Sequence, residues 1–314
     1  MAKKRNVKSE DDSQKIEGNV KGQGQDVESS ECLKFGVPKV EEESQDQEQG
    51  QDVESSECLE SGVPKVEEES QKPEEDEKHP VVSVLITVKN TEKEWLEKAL
   101  HSVLSQDFEE DFEIILVNDA SEEEYSAWLE ALVFGNEKIT LLHKSESIGR
   151  GPALNYGIAF CSGEFIGKMD SDDIAEPNWL REMVAFMREH EDAVVAGCQI
   201  KFFGEQVGRV TNHPLMQTSK NVLNYPKNYF WVINHPGCMF RAKALVELGG
   251  YGEFAEYAEE VSEDFDLWCR ILKVGHPIYT NQKVLVNYRY VSKPERYSKV
   301  WYEFLEGRKA GLKE

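Results

Sequence analysis

Glu164-Phe-Ile-Gly-Lys-Met-Asp170-Ser-Asp172-Asp173-Ile-Ala-Glu-Pro177 decides the fold, because a largely apolar run ends there in three carboxylates within four positions. Unit charges a few ångströms apart repel by about 4 kcal/mol at an effective dielectric of about 20, so the three acids need solvent, a proton or a cation. At the carboxyl end of a strand, a cation is the productive choice. All-oxygen donors suit the hard ions Mg2+ and Mn2+, which keep positions open for water and phosphate oxygens. The segment therefore predicts a strand that delivers Asp170, Asp172 and Asp173 to a metal and a diphosphate. Other readings compete with it. A cluster of acids after a strand is also the composition of a solvated turn. A calcium loop of the EF-hand type is excluded, since Ala175 stands where that pattern requires Gly. An aspartyl-phosphate phosphatase also uses Asp-x-Asp after an apolar strand. Its motif follows the first strand of its domain, however, and here about three predicted strands come earlier.

Working outward, short β-branched runs alternate with amphipathic stretches, the pattern of an α/β domain with a largely parallel sheet. Strands are predicted at 81–87, 112–117, 139–143 and 165–169. Between them come a helix opened by a Thr91 cap, then helices at 122–133 and 151–160. Downstream, Glu176-Pro177 is predicted to start a helix running to about His190, since proline is tolerated in a first turn. A strand at 193–200, a short helix at 242–248, a strand at 284–290 and a terminal helix from about Pro294 follow. Ser262 is the predicted cap of another helix, with Glu263, Asp264 and Asp266 in its first turn, where acids favour the helix dipole. Ligands of open α/β sheets bind at the carboxyl ends of strands, and two of these ends carry Asp119 and Asp170. Neither Gly-x-Gly-x-x-Gly after the first strand nor a P-loop occurs, so a diphosphate has to be held by metal.

Composition divides the 314 residues near residue 80. The first 80 hold 11 basic and 23 acidic residues, which is half of the net charge of −24, and their one aromatic is Phe35. Such a segment buries too little apolar area to offset chain entropy, and residues 1–79 are predicted to be a disordered acidic tail. Within it Gly24-Gln-Asp-Val-Glu-Ser-Ser-Glu-Cys-Leu returns at Gly50, and Gly36-Val-Pro-Lys-Val returns at Gly62, a two-copy repeat of 26 residues. Duplicated linker is the plain reading; a pair of protein-binding motifs is the sharper one. No stretch has the roughly 18 apolar residues of a membrane span, and the amino terminus lacks a signal-peptide core, so the expectation is a cytoplasmic protein. Cys161, Cys198, Cys238 and Cys269 form no Cys-x-x-Cys pair and are expected to be free thiols. The negative charge argues against nonspecific nucleic-acid binding and against docking on anionic lipid.

Over roughly residues 81–290 the chain resembles glycosyltransferase family 2. The resemblance is carried by several motifs in order: the opening strand through Asn90, Leu116-Val-Asn-Asp-Ala-Ser121, Ile148-Gly149 through Asn155, Met169-Asp-Ser-Asp-Asp173, and Ser262-Glu-Asp-Phe-Asp-Leu-Trp-Cys-Arg270. It implies the GT-A fold, a Rossmann-like and mostly parallel central sheet with helices on both faces. It also implies a nucleotide-sugar-binding half at 80–200 and an acceptor-binding half at 201–314. The implied activity is metal-dependent, inverting and nonprocessive transfer from a nucleotide-diphosphate sugar, a UDP-sugar first, to an acceptor hydroxyl. Thr87, Asn90, Asp119, Asn155 and Asp170 are the implied donor contacts. Asp170 and Asp172 are the implied ligands of Mn2+ or Mg2+. Asp264 is the implied base, with Glu263 second. The acceptor is left open among a glycan, a lipid-linked sugar, a protein and an RNA nucleoside. Lys89 stands where a base-stacking aromatic often occurs, Ala120 replaces the turn glycine, and Tyr290-Val-Ser-Lys lacks the usual histidine. The absence of Gln-x-x-Arg-Trp argues against a processive synthase. A noncatalytic nucleotide-sugar-binding or glycan-binding module is the alternative, with the phosphatase behind it.

Overall fold

Apolar residues on β1 (Val82–Val88) go alternately to two cores, as the two-residue period of a strand dictates. Val82, Val84 and Ile86 enter one core and Leu85 the other. The computed structural model describes residues 79–226, 231–252, 262–292 and 299–313. The acidic tail with its repeat, and the predicted helix start near Pro294, lie outside the described residues.

After β1 come α1 (Lys93–Leu104), β2 (Phe112–Asp119), α2 (Glu123–Val133), β3 (Ile139–Lys144), α3 (Arg150–Ile158) and β4 (Phe165–Asp170). Next are β5 (Ile174–Ala175), α4 (Trp179–Glu189), β6 (Val195–Gly204), β7 (Met216–Gln217), α5 (Ser219–Leu223) and β8 (Met239–Arg241). The chain ends with α6 (Ala242–Glu247), α7 (Glu263–Lys273), β9 (Ile278–Tyr290) and α8 (Lys299–Ala310). These strands form one sheet in the order β3-β2-β1-β4-β8-β6-β9-β5, with β7 added on β9. Its first four strands are parallel. The second half is mixed, since β8 runs antiparallel to both β4 and β6 while β6 and β9 are parallel.

Helices cover both faces. On one, α1 buries Leu96, Ala99, Leu100 and Val103 at helical spacing, and α4 buries Trp179, Leu180, Met183, Val184 and Met187. On the other lie Ala153 and Leu154 of α3, Leu245 of α6, and Phe265, Leu267, Trp268, Ile271 and Leu272 of α7. Each fully buried Leu, Ile, Val or Phe contributes roughly 1.5 to 3 kcal/mol, so both faces hold the sheet. Cys198, Cys238 and Cys269 are buried free thiols, and Cys161 is half-buried. Among the described residues no helix is long and apolar enough to cross a membrane.

Four local expectations are corrected. Thr91 does not cap α1; the cap position is Glu92, without a side-chain bond to the helix, and Thr91 Oγ1 instead meets Ser171 Oγ at 2.7 Å. Pro177 precedes α4 rather than lying in its first turn, and its carbonyl accepts from the Asp107 N–H at 2.7 Å. Ser262 occupies the cap position of α7, but its hydroxyl donates to the Asp264 carboxylate and accepts no bond from a helix N–H. The strand expected at 284–290 extends back to Ile278, where pairing with β6 continues past a register shift around Gln199.

Candidate active site

The chain direction through the sheet reverses at β1, whose neighbours are β2 on one side and β4 on the other. Such a switch point leaves a crevice beyond the carboxyl ends of the strands. Thr87 is in register with Asp170, and Val88 with Asn118, so the ends of β1, β2 and β4 bring Thr87, Asp119 and Asp170 to one edge.

Beyond β4 the chain turns through Ser171 and Asp172 and re-enters the sheet as β5. One carboxylate oxygen from each of Asp170, Asp172 and Asp173 lies within 4.8 Å of the others. Side chains from distant elements fix this turn. Arg289 on β9 donates its backbone N–H to Asp173 Oδ1 at 2.7 Å and its Nε–H to the Asp172 carbonyl at 2.9 Å. The same guanidinium stands 4.4 Å from the ring centroids of both Trp95 and Phe203, a double cation–π contact that limits its movement. Asn287 Nδ2 donates to Glu176 Oε1 at 2.7 Å, closing the far end of the loop.

The three acids have different electrostatic environments. Burial would raise the Asp170 carboxyl, but the Lys168 ammonium that bonds its Oδ1, together with His235 and the Arg150 charge, holds it low. Burial and then the Asp170 charge push Asp172 up. Asp173, fully buried, is pushed well up by burial and by both neighbouring acids. Its Oδ2 has no hydrogen-bond partner among the described residues. A buried oxygen without a partner beside mutually repelling carboxylates is the environment that a divalent cation relieves, and the all-oxygen donor set suits Mn2+ or Mg2+.

The predicted base lies at the start of α7, which packs closely against the start of α3. A Cβ at Gly151 would lie 2.8 Å from Gly252 O and 3.6 Å from Glu263 Cβ, so only glycine permits this approach. Arg150 Nη1 donates to Glu263 Oε1 at 3.3 Å, and its guanidinium also feels Asp170 and Asp264. Burial raises Glu263 despite that pairing. Asp264 goes the other way. Burial would raise it, but the nearby His235 imidazole, together with the Ser262 hydroxyl and the Phe265 N–H that donate to Oδ1, brings it below the usual carboxylate range. Both bonds fall on Oδ1, and among the described residues no hydrogen bond reaches Oδ2. Arg270 anchors the helix by bonding Asp266 Oδ2, Leu248 O and Gly250 O at 2.9, 2.9 and 2.6 Å.

Asp119 accepts from the Ser147 hydroxyl and the Ile148 N–H, each at 2.8 Å, so it ties β2 to the loop before α3 and keeps spare lone pairs. Asn90, at a φ of 50°, accepts from the Glu122 N–H and donates its own N–H to Ser121 Oγ, both at 3.0 Å. Asn155 uses its amide on both sides of the Tyr251 peptide, at 2.9 and 2.8 Å. A Cβ at Gly250, whose φ is +65°, would meet Asn155 Oδ1 at 2.4 Å. The contacts of Asn155 thus join α3 to the loop after α6.

Sequence reasoning missed Lys168, Arg289 and His235. Lys168 had a legible signal, a charge inside an apolar strand two residues before Asp170 and hence on the same face. His235 has none, since burial pushes its imidazole down to about 3 and its Nε2 lies 2.8 Å from the Tyr251 hydroxyl.

Comparison with known proteins bears on the family and the fold. The family model "Glycosyl transferase family 2" matches residues 83–249. The amylovoran biosynthesis glycosyltransferase AmsE of Erwinia amylovora is 30% identical over 214 residues, covering 66% of this chain and 75% of its own length. The crystal structure of S. aureus TarS 1-349 in complex with UDP-GlcNAc superposes with a TM-score of 0.57 at 18% identity, over 73% of this chain and 66% of that one. The mannosyltransferase PcManGT of Pyrobaculum calidifontis, in complex with GDP-Man and Mn2+, does so with a TM-score of 0.51 at 20% identity, over 70% of this chain and 59% of that one. At these identities the two solved structures bear on the fold, which is GT-A, while the family match rests on sequence over more than half of the residues. The chain belongs to glycosyl transferase family 2.

Proposed function

We propose that the protein transfers a sugar from a nucleotide-diphosphate sugar to an acceptor hydroxyl by a single, metal-dependent displacement that inverts the anomeric centre. The observation that carries this reading is the division of labour among the acids. A carboxylate cluster with an unpartnered buried oxygen ends β4, and a separate carboxylate held in its ionised form begins α7.

Asp170 and Asp172 would hold the ion, with Asp173 behind them. A divalent cation bound there supplies positive charge that neutralises the leaving nucleoside diphosphate. Asp119, Thr87 and Asn90 line the edge where the nucleoside would lie, and a carboxylate such as Asp119 accepts from a uracil or guanine N–H. Asp264 Oδ2 takes the proton of the acceptor hydroxyl as that oxygen bonds to the anomeric carbon and the bond from that carbon to the diphosphate oxygen breaks. No covalent sugar–enzyme intermediate is formed. Glu263 is the weaker candidate for the base, because its carboxylate is engaged by Arg150. UDP-sugars are the first donors to test, since the neighbouring TarS structure holds UDP-GlcNAc, with GDP-sugars next because PcManGT holds GDP-Man.

The test is Asp264→Asn. We expect donor binding to persist while transfer falls by about 10²- to 10⁴-fold, the range associated with loss of a general base. Donor affinity is read by calorimetry and transfer by release of the nucleoside diphosphate. Turnover retained in Asp264→Asn would move the base elsewhere.

A further inference from the structure

A strand with both faces buried is expected to be apolar throughout, and the buried part of β4, before its terminal Asp170, breaks that rule at Lys168. The residue is 2% exposed, and its backbone is held on both sides. Its N–H donates to Cys238 O at 2.9 Å, and its carbonyl accepts from the Gly237 N–H at 2.8 Å. An isolated ammonium in such a place is strongly unfavourable, so a buried lysine has to be paired. The two-residue period of β4 puts Asp170 on the same face, and Lys168 Nζ bonds Asp170 Oδ1. The Lys168 charge also reaches Asp172, Asp173 and, from the acceptor side, Glu263.

We propose that Lys168 sets the charge of the metal site, so that a free divalent ion binds weakly and is held firmly only together with a nucleoside diphosphate. The inference rests on the metal reading of the Asp170 cluster. Metal affinity in oxygen sites follows the number of ligand charges and the rigidity of the site. Here one of three carboxylates is already neutralised by an ammonium that cannot leave. Asp173 Oδ2 has no hydrogen-bond partner among the described residues, which leaves the cluster a buried oxygen for a cation to engage. Diphosphate oxygens add the charge that Lys168 subtracts, which makes tight metal binding conditional on the nucleotide. Lys168 is thus a positioning and charge-balancing residue, not a catalytic one.

The experiment measures Mn2+ affinity of the full chain by the electron paramagnetic resonance signal of unbound Mn2+, alone and with saturating UDP or GDP, corrected for the Mn2+–nucleotide complex. In the wild type, affinity should rise at least tenfold when the preferred nucleotide is added. Lys168→Met should bind Mn2+ alone at least tenfold more tightly than wild type, with little further gain from nucleotide, and Lys168→Arg should behave as wild type. A purely structural role predicts the opposite sign, since losing the partner that holds Asp170 would weaken metal binding. Equal or weaker Mn2+ binding by a folded Lys168→Met overturns the inference and leaves the metal reading standing. If that variant does not fold, Mn2+ binding by the wild type that is indifferent to both nucleotides overturns it instead. A wild type that binds no Mn2+ under any of these conditions overturns the metal reading itself.

Discussion

Glu263 and Asp264 are neighbours in sequence, yet their surroundings push their acidities in opposite directions. Burial dominates at Glu263, whereas at Asp264 the nearby His235 imidazole, the hydrogen bonds to Oδ1 and the Arg150 charge together outweigh burial. Environments that separate two carboxyls in this way are how a site assigns a base at neutral pH. The same physics gives a stability prediction away from the site. His213 is buried, with Nε2 3.2 Å from Asn234 Oδ1, and burial lowers its pKa below the ordinary 6.5. Its unfolded form therefore binds a proton that the folded form refuses. Its contribution is absent above 6.5, and the protein loses stability as pH falls through 6.5 toward the lower folded pKa. Raised carboxyls such as Asp173 oppose this slope, so the comparison of variants isolates it. We predict that the melting temperature of His213→Gln falls less between pH 7.5 and 5.5 than that of wild type, as read by calorimetry. Parallel slopes would remove His213 as the cause.

At the scale of elements, α7 matters most because it presents Asp264. Asp266, 2% exposed, meets Arg270 on its own helix and Arg308 on α8, each at 2.9 Å. Removing a buried acid leaves its cationic partners unpaired, which costs about 3–5 kcal/mol when both are buried. Arg270 and Arg308 are 30% and 41% exposed and can regain water. We therefore expect Asp266→Ala to destabilise by about 2 kcal/mol in urea unfolding and to reduce transfer more than donor binding. A change below about 0.5 kcal/mol would show that α7 is held by its apolar face alone. The alternating elements up to Asp170 were legible because strand and helix periods differ and each has a buried face. The Thr91 and Ser262 caps were misread because a hydroxyl near a helix start has several possible partners. For Thr91 the partner was Ser171, which only the folded chain brings near. Arg289 was invisible for the same reason, since its clamp on Asp172 and Asp173 depends on the pairing of β5 with β9.

Across the whole molecule, the sheet joins a parallel half that ends in Asp119 and Asp170 to a mixed half that supports Asp264 through α7. Gly151, Arg150 and the Asn155–Tyr251 link hold the two halves where α3 meets the start of α7. We propose that residues 1–78 lie outside this machinery, so deleting them should leave melting behaviour and donor binding unchanged. Loss of either on deletion would assign the tail a role in the fold. The acidic cluster was legible at this scale because carboxylates after an apolar strand have few stable explanations. The compensating Lys168 was not, because its meaning depends on burial. The most direct test of the account is a thermal-shift series on the full chain, wild type and Asp172→Asn, with UDP-, GDP- and dTDP-sugars in Mn2+, in Mg2+ and in chelator. The account predicts that one nucleotide class stabilises the wild type only with metal, by about 2.7 kcal/mol at 100 times its dissociation constant, and that Asp172→Asn abolishes the shift. A folded wild type that no nucleotide sugar stabilises with either metal, or an undiminished shift in Asp172→Asn, would contradict it.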